Sequence, residues 1–460
     1  MDTNRLILSC ALIVSIGLAS CAADPLGSTP TTGGKASTPP TAPTVPASTA
    51  APPQATAEGT ASTTTTTIPR STGSRASTST VPDAGSGGLV DAVQDLAEAA
   101  LQLDAGWNAS GPTGVLIGVR APGLEDVLVA SGTSGDDQPL DPSAPFSVST
   151  LGWSVVQEIA ADLIAGAALD PSASLDTWLP DQPNADRITV QMLIDGTHGW
   201  GSMNDSPVDL YPANVVADLE RSWGLEEVLE TYEAIPPFAE PGTFDPHARP
   251  TGFDALAYVA EQASGHTLAE LVALHSAAPL GLTDTMLGDG VQFPDGFHHG
   301  RFMMDRPMDT TEFPTAALFT YQPTRLGVIS SVPDLLDMLD AWADGSWTDG
   351  GVAPDAAMFP DSRREAPAGP IIGLGVPYSG YCPCEPTDGG NQVTAIGRRP
   401  YAVGSDLHVL RYLDDDISVV VHFNSDAWTD RQPLIELVDA VHAAAAAHVQ
   451  IDAGVGTDGP

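Results

Sequence analysis

The rhythm of apolar and polar positions changes several times along the chain. Val90, Val93, Leu96, Ala97, Ala100 and Leu101 recur at helical spacing and predict a helix. Val115 to Val119 and Asp126 to Ala130 are short apolar runs on either side of a Pro-Gly turn and predict two strands. Ser147, Ser149 and Thr150 crowd one short stretch, and small hydroxyl residues favour a helix start, where their oxygens cap free backbone N–H groups. Val155, Val156, Ile159, Ala160, Leu163 and Ile164 follow as the buried stripe of that helix. Ile188 to Gly199 begins another helix, and helices and loops run on through residue 345. Near the end, Asp406 to Tyr412 and Ile417 to Phe423 predict strands on either side of Leu413-Asp414-Asp415-Asp416, and Leu434 to His448 predicts a closing helix. The order is therefore helix, two strands, a helical middle, two strands, helix.

The first 88 residues do not share this patterning. Arg5 precedes an apolar run from Leu6 to Leu18, and Leu18-Ala19-Ser20-Cys21 has the form of a lipobox. Residues 1–20 are expected to be a lipoprotein signal peptide, with Cys21 carrying the lipid. The alternative is an uncleaved membrane anchor, for which the run falls short of about 20 residues. Residues 21–88 are Ser, Thr, Pro, Ala and Gly with hardly any large apolar side chain. They predict a disordered tether with an r.m.s. reach of about 45 Å. Residues 89–460 form the folded domain, long enough for one large core or two subdomains sharing a cleft. The expected location is the cell membrane, lipid-anchored on its extracytoplasmic face.

Several blocks of the folded region resemble the serine β-lactamase and penicillin-binding protein superfamily, closest to its class C, DD-peptidase and esterase branch. Ile188 to Gly199 matches the family's I-T-I-R-x-L-L-x-H-T-S-G, with Gly196-Thr197-His198-Gly199 at its end. Thr251-Gly252-Phe253-Asp254-Ala255-Leu256 after Pro241-Gly242, Pro279 to Thr285, Ser331 to Leu335 and Gly373-Leu374-Gly375 match further blocks in order. The resemblance spans about residues 89 to 448. It implies an α+β fold, with an antiparallel sheet flanked by helices and an all-helical subdomain. It also implies acyl transfer by a serine, a lysine one helical turn on, a Y-x-N tyrosine, and a K-T-G or H-x-G strand.

The chemistry does not carry over residue by residue. Matching forward from Phe146 puts Thr150 at the nucleophile position, Ser149 just before it, and Trp153 at the lysine position. Lys35, in the tether, is the only lysine in the chain. Arginine is no substitute base, since it keeps its proton in proteins. The tyrosine falls on His247 or Ala248 and the asparagine on Arg249 or Pro250. In the third motif Arg398 stands at the histidine and Pro400 at a glycine, and a proline there removes a backbone donor.

Two readings of the site follow, and a third dispenses with it. The leading one is a non-hydrolytic surface lipoprotein whose cleft binds or scaffolds peptidoglycan or an envelope protein. Its rival is an active serine hydrolase using Ser149 or Thr150 with His247 as base and Arg398 holding a substrate carboxylate. The third is an envelope protein of purely structural role whose cleft Trp153 closes. His198 beside Trp200 reads as a packed or capping residue. Cys382 and Cys384 form a C-x-C that suits a local disulfide outside the cytoplasm. A metal would need two further ligands, for which His298 and His299 are candidates, and neither a metal nor a cofactor is expected. The net charge of −42 lies wholly on the folded domain, because signal and tether each sum to zero. Such a domain repels nucleic acid.

Overall fold

The computed structural model describes residues 86–103, 112–201, 215, 217–233, 235–243, 250–303, 307–309, 315–344, 395–402, 404–425 and 432–455. His247, Cys21, Cys382, Cys384 and the Gly373 block lie outside them. In chain order the main elements are α1 (Ser86–Ala100), β1 (Gly114–Arg120), β2 (Val127–Gly132), β3 (Phe146–Ser147) and α2 (Gly152–Ala165). The helical middle contributes α3 (Val190–Ile194), α4 (Leu225–Tyr232), α5 (Pro250–Ser264) and α6 (Leu268–Val272). Next come β4 (Met286–Leu287), β5 (Arg301–Met303), β6 (Pro307–Asp309), α7 (Ala316–Tyr321), β7 (Val328–Ser330) and α8 (Val332–Asp344). The end of the chain supplies β8 (Ala395–Arg398), β9 (Tyr401–Ala402), β10 (Ser405–Tyr412), β11 (Ile417–Phe423) and α9 (Gln432–Val455).

The two ends of the chain meet in one antiparallel sheet of order β2-β1-β11-β10-β8, with β9 also paired to β10. Alternation along the strands builds two cores. Val115, Ile117 and Val119 of β1, with Val419, Val421 and Phe423 of β11, face Leu89, Val93 and Val441 of α1 and α9. Leu116, Val409 and Val420 face the other way, onto α8 and the helical middle. Gly118 is bare on that face, where a Cβ would come within 2.2 Å of Val332 in α8. Both predicted strand pairs and both terminal helices form. The closing helix runs longer than its apolar pattern indicated, to Val455.

Two of the blocks read from sequence turn out to be partners. The Asp334 carboxylate accepts from Thr283 N (3.3 Å), Asp284 N (2.9 Å) and Thr285 Oγ1 (2.7 Å). It thereby fastens the loop ahead of β4 to the first turn of α8. Thr285 Oγ1 also meets Ser330 Oγ at 2.9 Å, which joins the same loop to β7. A buried carboxylate facing three donors leaves all of them unpaired when it is removed. Asp334→Ala is expected to lower unfolding free energy by about 2–4 kcal/mol in a urea melt. An unchanged midpoint and slope would show that the loop is held by other contacts.

Candidate functional site

The turn that carries the expected nucleophile is fixed by backbone pairing. β3 pairs antiparallel with β7, Phe146 opposite Ser330 and Ser147 opposite Ile329. Val148 N then donates to Val328 O at 3.0 Å, and Ser147 Oγ donates to Leu326 O at 2.8 Å. Ser149 to Leu151 form one 3₁₀ turn, and α2 starts at Gly152. Gly152 is demanded by packing, because a Cβ there would sit 2.3 Å from Thr324 O. The hydroxyls do not cap the helix as the sequence suggested: neither the 3₁₀ turn nor α2 has a side-chain cap. Ser147 is drawn to Leu326 instead, and Ser149 Oγ is buried with no hydrogen-bond partner.

Ser149 adopts φ +56°, a left-handed conformation in a residue with a Cβ. That costs of order 1–2 kcal/mol, and such strain persists only where surrounding structure imposes it. Here the β3–β7 pairing on one side and the Gly152 contact on the other impose it. Thr150, next in the chain, is buried in the same turn.

One turn further on, Trp153 is only 6% exposed and stacks on Phe253 of α5, with ring centroids 5.1 Å apart and planes 14° apart. The position at which the resemblance places a lysine thus holds an indole wedged against a phenyl ring. Phe253 is itself carried by a well-anchored helix. Its neighbour Asp254 accepts from Tyr232 Oη (2.7 Å) and Thr324 Oγ1 (2.6 Å). Burial lifts the Asp254 carboxyl to about 6.

Gln157, the next residue on this face of α2, donates to Ile194 O (2.7 Å) and accepts from Arg398 Nη2 (3.2 Å). Arg398 projects from β8, opposite Val409 of β10, and is buried, so its guanidinium bridges edge strand and helix. Pro400 is buried and separates β8 from β9, the interruption expected of a proline in that strand. Its carbonyl still accepts from Leu407 N at 2.9 Å. The structure therefore brings Ser149, Thr150, Trp153, Gln157 and Arg398 to one region. His247, the base proposed from sequence, is outside the described residues. His198 packs edge-on against Trp200, and its Nδ1 accepts from Trp200 N at 3.1 Å. No group of three or more His, Cys, Asp or Glu placed to hold a metal occurs among the described residues.

Sequence reading missed two buried features near this turn. Glu158 of α2 is buried, and desolvation, reinforced by Asp162, lifts its carboxyl to about 8. Asp162 in turn is hydrogen-bonded to His275 Nδ1. The second feature begins at Ser405, at the start of β10. Its Oγ lies 3.0 Å from His422 Nε2 and 3.4 Å from Ser147 O. His422 Nδ1 lies 3.1 Å from His298 Nδ1, and Phe146 stacks flat on the His422 ring at 3.8 Å. Burial holds His298 down at about 3 and His422 well below the usual histidine range, so both rings are neutral. Alternation along β10 and β11 could have placed Ser405 and His422 on one face. Nothing local in the sequence connects them with His298.

The chain matches the Beta-lactamase family over residues 131–443. Among solved structures, D-amino acid amidase from Ochrobactrum anthropi SV3 superposes with a TM-score of 0.59 at 19% identity, over 77% of this chain and 98% of that one. A D-stereospecific amidohydrolase from Streptomyces sp. gives 0.60 at 19% identity, over 78% and 98%. A penicillin binding protein from Bacillus halodurans gives 0.53 at 16% identity, over 78% and 98%. At such identities these likenesses establish the fold. No curated protein matches the sequence.

Glu158 gives the site a pH signature. Folded, it keeps its proton to about pH 8; unfolded, it loses it near 4.5. Between those values folding takes up a proton, so this contribution to stability is lost as pH rises, by up to about 1.4 kcal/mol per unit. Glu158→Gln is expected to flatten the fall in melting temperature between pH 6.5 and 8. Parallel profiles for the two proteins in a thermal-shift series would show that Glu158 is ionised in the fold.

Proposed function

The chain belongs to the Beta-lactamase family, and on that premise we propose that it has given up acyl transfer at the family's nucleophile position and keeps the domain for binding at the cell envelope. The observation that carries this reading is Trp153. Acyl transfer from a hydroxyl needs a base within hydrogen-bond reach. The residue one turn after Thr150 has no basic nitrogen, since an indole N–H only donates. It is packed against Phe253, and the only lysine of the chain is Lys35. Arg398 is tied to Gln157 and keeps its proton at any physiological pH.

The lipobox at Cys21 and the tether behind it support a domain held at the extracytoplasmic face of the membrane by lipid. The fold neighbours named as a D-amino acid amidase and a D-stereospecific amidohydrolase support peptides bearing D-amino acids, as in peptidoglycan, as the ligand class. Arg398 is the cation offered to a ligand in this reading, and a peptide carboxylate would draw it away from Gln157.

The full-length protein, incubated separately with a labelled penicillin and a fluorophosphonate and then peptide-mapped, is expected to carry no adduct on Thr150 or Ser149. An adduct there, lost in Thr150→Ala or Ser149→Ala, would overturn the reading. Trp153→Ala should meanwhile cost about 3–5 kcal/mol of stability in a denaturant melt, as loss of a buried aromatic does. A near-neutral change would mean that Trp153 lies over an open cleft rather than filling it.

A further inference from the structure

The hydrogen-bonded series Ser405–His422–His298 has no part in the reading above, and it contains what the family position lacks: a hydroxyl within reach of a neutral nitrogen base that a third group orients. The series lies beside β3, because Ser405 also meets the Ser147 carbonyl. It lines a recess completed by Phe297, Leu318, Phe319 and Leu326, which leaves water-sized molecules about 20 Å³, roughly the room for one. Gly300 and Gly404 also border this recess and pack backbone to backbone, since a Cβ on Gly300 would sit 2.3 Å from Gly404 O. That stretch of the rim carries no side chain.

We propose that Ser405 is a second nucleophile of this protein, with His422 as its general base and His298 as the residue that positions His422, acting on esters of short apolar acyl groups. Ser405 Oγ has one proton to give, to the Ser147 carbonyl or to His422 Nε2, and the step uses the second arrangement. When Ser405 donates to His422 Nε2, the His422 proton sits on Nδ1 and is donated to His298 Nδ1, and the His298 proton sits on Nε2. His298 Nε2 has no hydrogen-bond partner, and His298 is only 2% exposed. Stacking on Phe146 fixes the plane of the His422 ring. This is the nucleophile, base and orienting group arrangement of serine acyl transfer, with a neutral imidazole as the third member.

The step balances without any other reagent. Ser405 Oγ bonds to the ester carbonyl carbon while its proton passes to His422 Nε2. The resulting imidazolium is held by its Nδ1–H bond to His298. The carbon–oxygen bond to the leaving alcohol then breaks, and that alcohol takes the proton from Nε2. Water then bonds to the acyl carbon as its proton passes to His422 Nε2; the carbon–Oγ bond breaks, Ser405 Oγ takes that proton back, and the carboxylic acid leaves. Walls of phenyl and leucine side chains and room for about one water restrict the acyl group to the smallest, acetyl, and shut out peptides and β-lactams.

The test uses full-length protein with p-nitrophenyl acetate and, separately, diisopropyl fluorophosphonate, followed by acid quench and peptide mapping. An acetyl or phosphoryl group on Ser405, absent from Ser405→Ala and formed at least 100-fold more slowly in His422→Gln, is the expected result. No modification of Ser405 in a protein shown by its thermal transition to be folded would overturn the proposal. So would release of nitrophenolate that persists unchanged in Ser405→Ala. Mapping the wild-type chain decides the matter even where a variant fails to fold. Modification of Thr150 or Ser149 would instead count against the reading of the family position, so the two failures are told apart by the peptide that carries the label.

Discussion

The seat of the turn from Ser147 to Gly152 against the segment from Pro323 to Val328 is the constraint on which the rest of the site depends. Three contacts make it: Ser147 Oγ to Leu326 O, Val148 N to Val328 O, and the side-chain-free Gly152 against Thr324 O. The same segment is held from behind, where Thr324 donates to the buried Asp254. Interiors packed at crystal-like density transmit such positions rigidly. The left-handed Ser149 is the local consequence: the chain must pass from a paired strand into a helix within two residues, and the strain falls on one of them.

Within that frame the position one turn after Thr150 is taken up by packing. A catalytic amine in this fold must be buried enough to lose its proton and placed to receive another, which costs stability. Trp153 on Phe253 removes that cost and adds a large apolar contact. Arg398 and Gln157 join β8 to α2 by a hydrogen bond from the guanidinium to a neutral amide.

Besides buried ions such as Arg398, the interior holds titratable groups that their surroundings push toward neutrality. Glu158, Asp254, His298 and His422 are each shifted by desolvation toward their uncharged forms. In a chain with a net charge of −42, the buried acids among the described residues are Glu158, Asp254, Asp334 and Asp406, and the others of described burial reach the surface. Arg120 holds Asp126, Asp337 and Asp340 there, and Arg411 shares Asp340, which ties α8 to the sheet. A hydrogen-bonded series such as Ser405–His422–His298 is tolerated inside because its members are uncharged and bond to one another, although His298 Nε2 has no hydrogen-bond partner among the described residues. Charged forms of the same side chains would need counter-charges from elsewhere.

The sequence by itself determined the architecture. Period-two alternation in β1 and β11, the helical stripe of α2, and the ordered blocks at Ile188, Thr251, Pro279 and Ser331 are local signals, and local signals survive in one dimension. It also determined that no lysine stands in residues 89–460, which is a matter of reading letters. Tertiary structure alone decided where the hydroxyls at the start of α2 went, because Leu326, which captures Ser147, lies 179 residues further on. It alone decided that Trp153 stacks on Phe253, that Arg398 reaches Gln157, and that Ser405 and His422 meet His298. Those contacts join segments 100 to 241 residues apart for Trp153–Phe253 and Arg398–Gln157, and 124 apart for the two histidines. Their geometry depends on how sheet and helices pack, so no spacing in the chain records it.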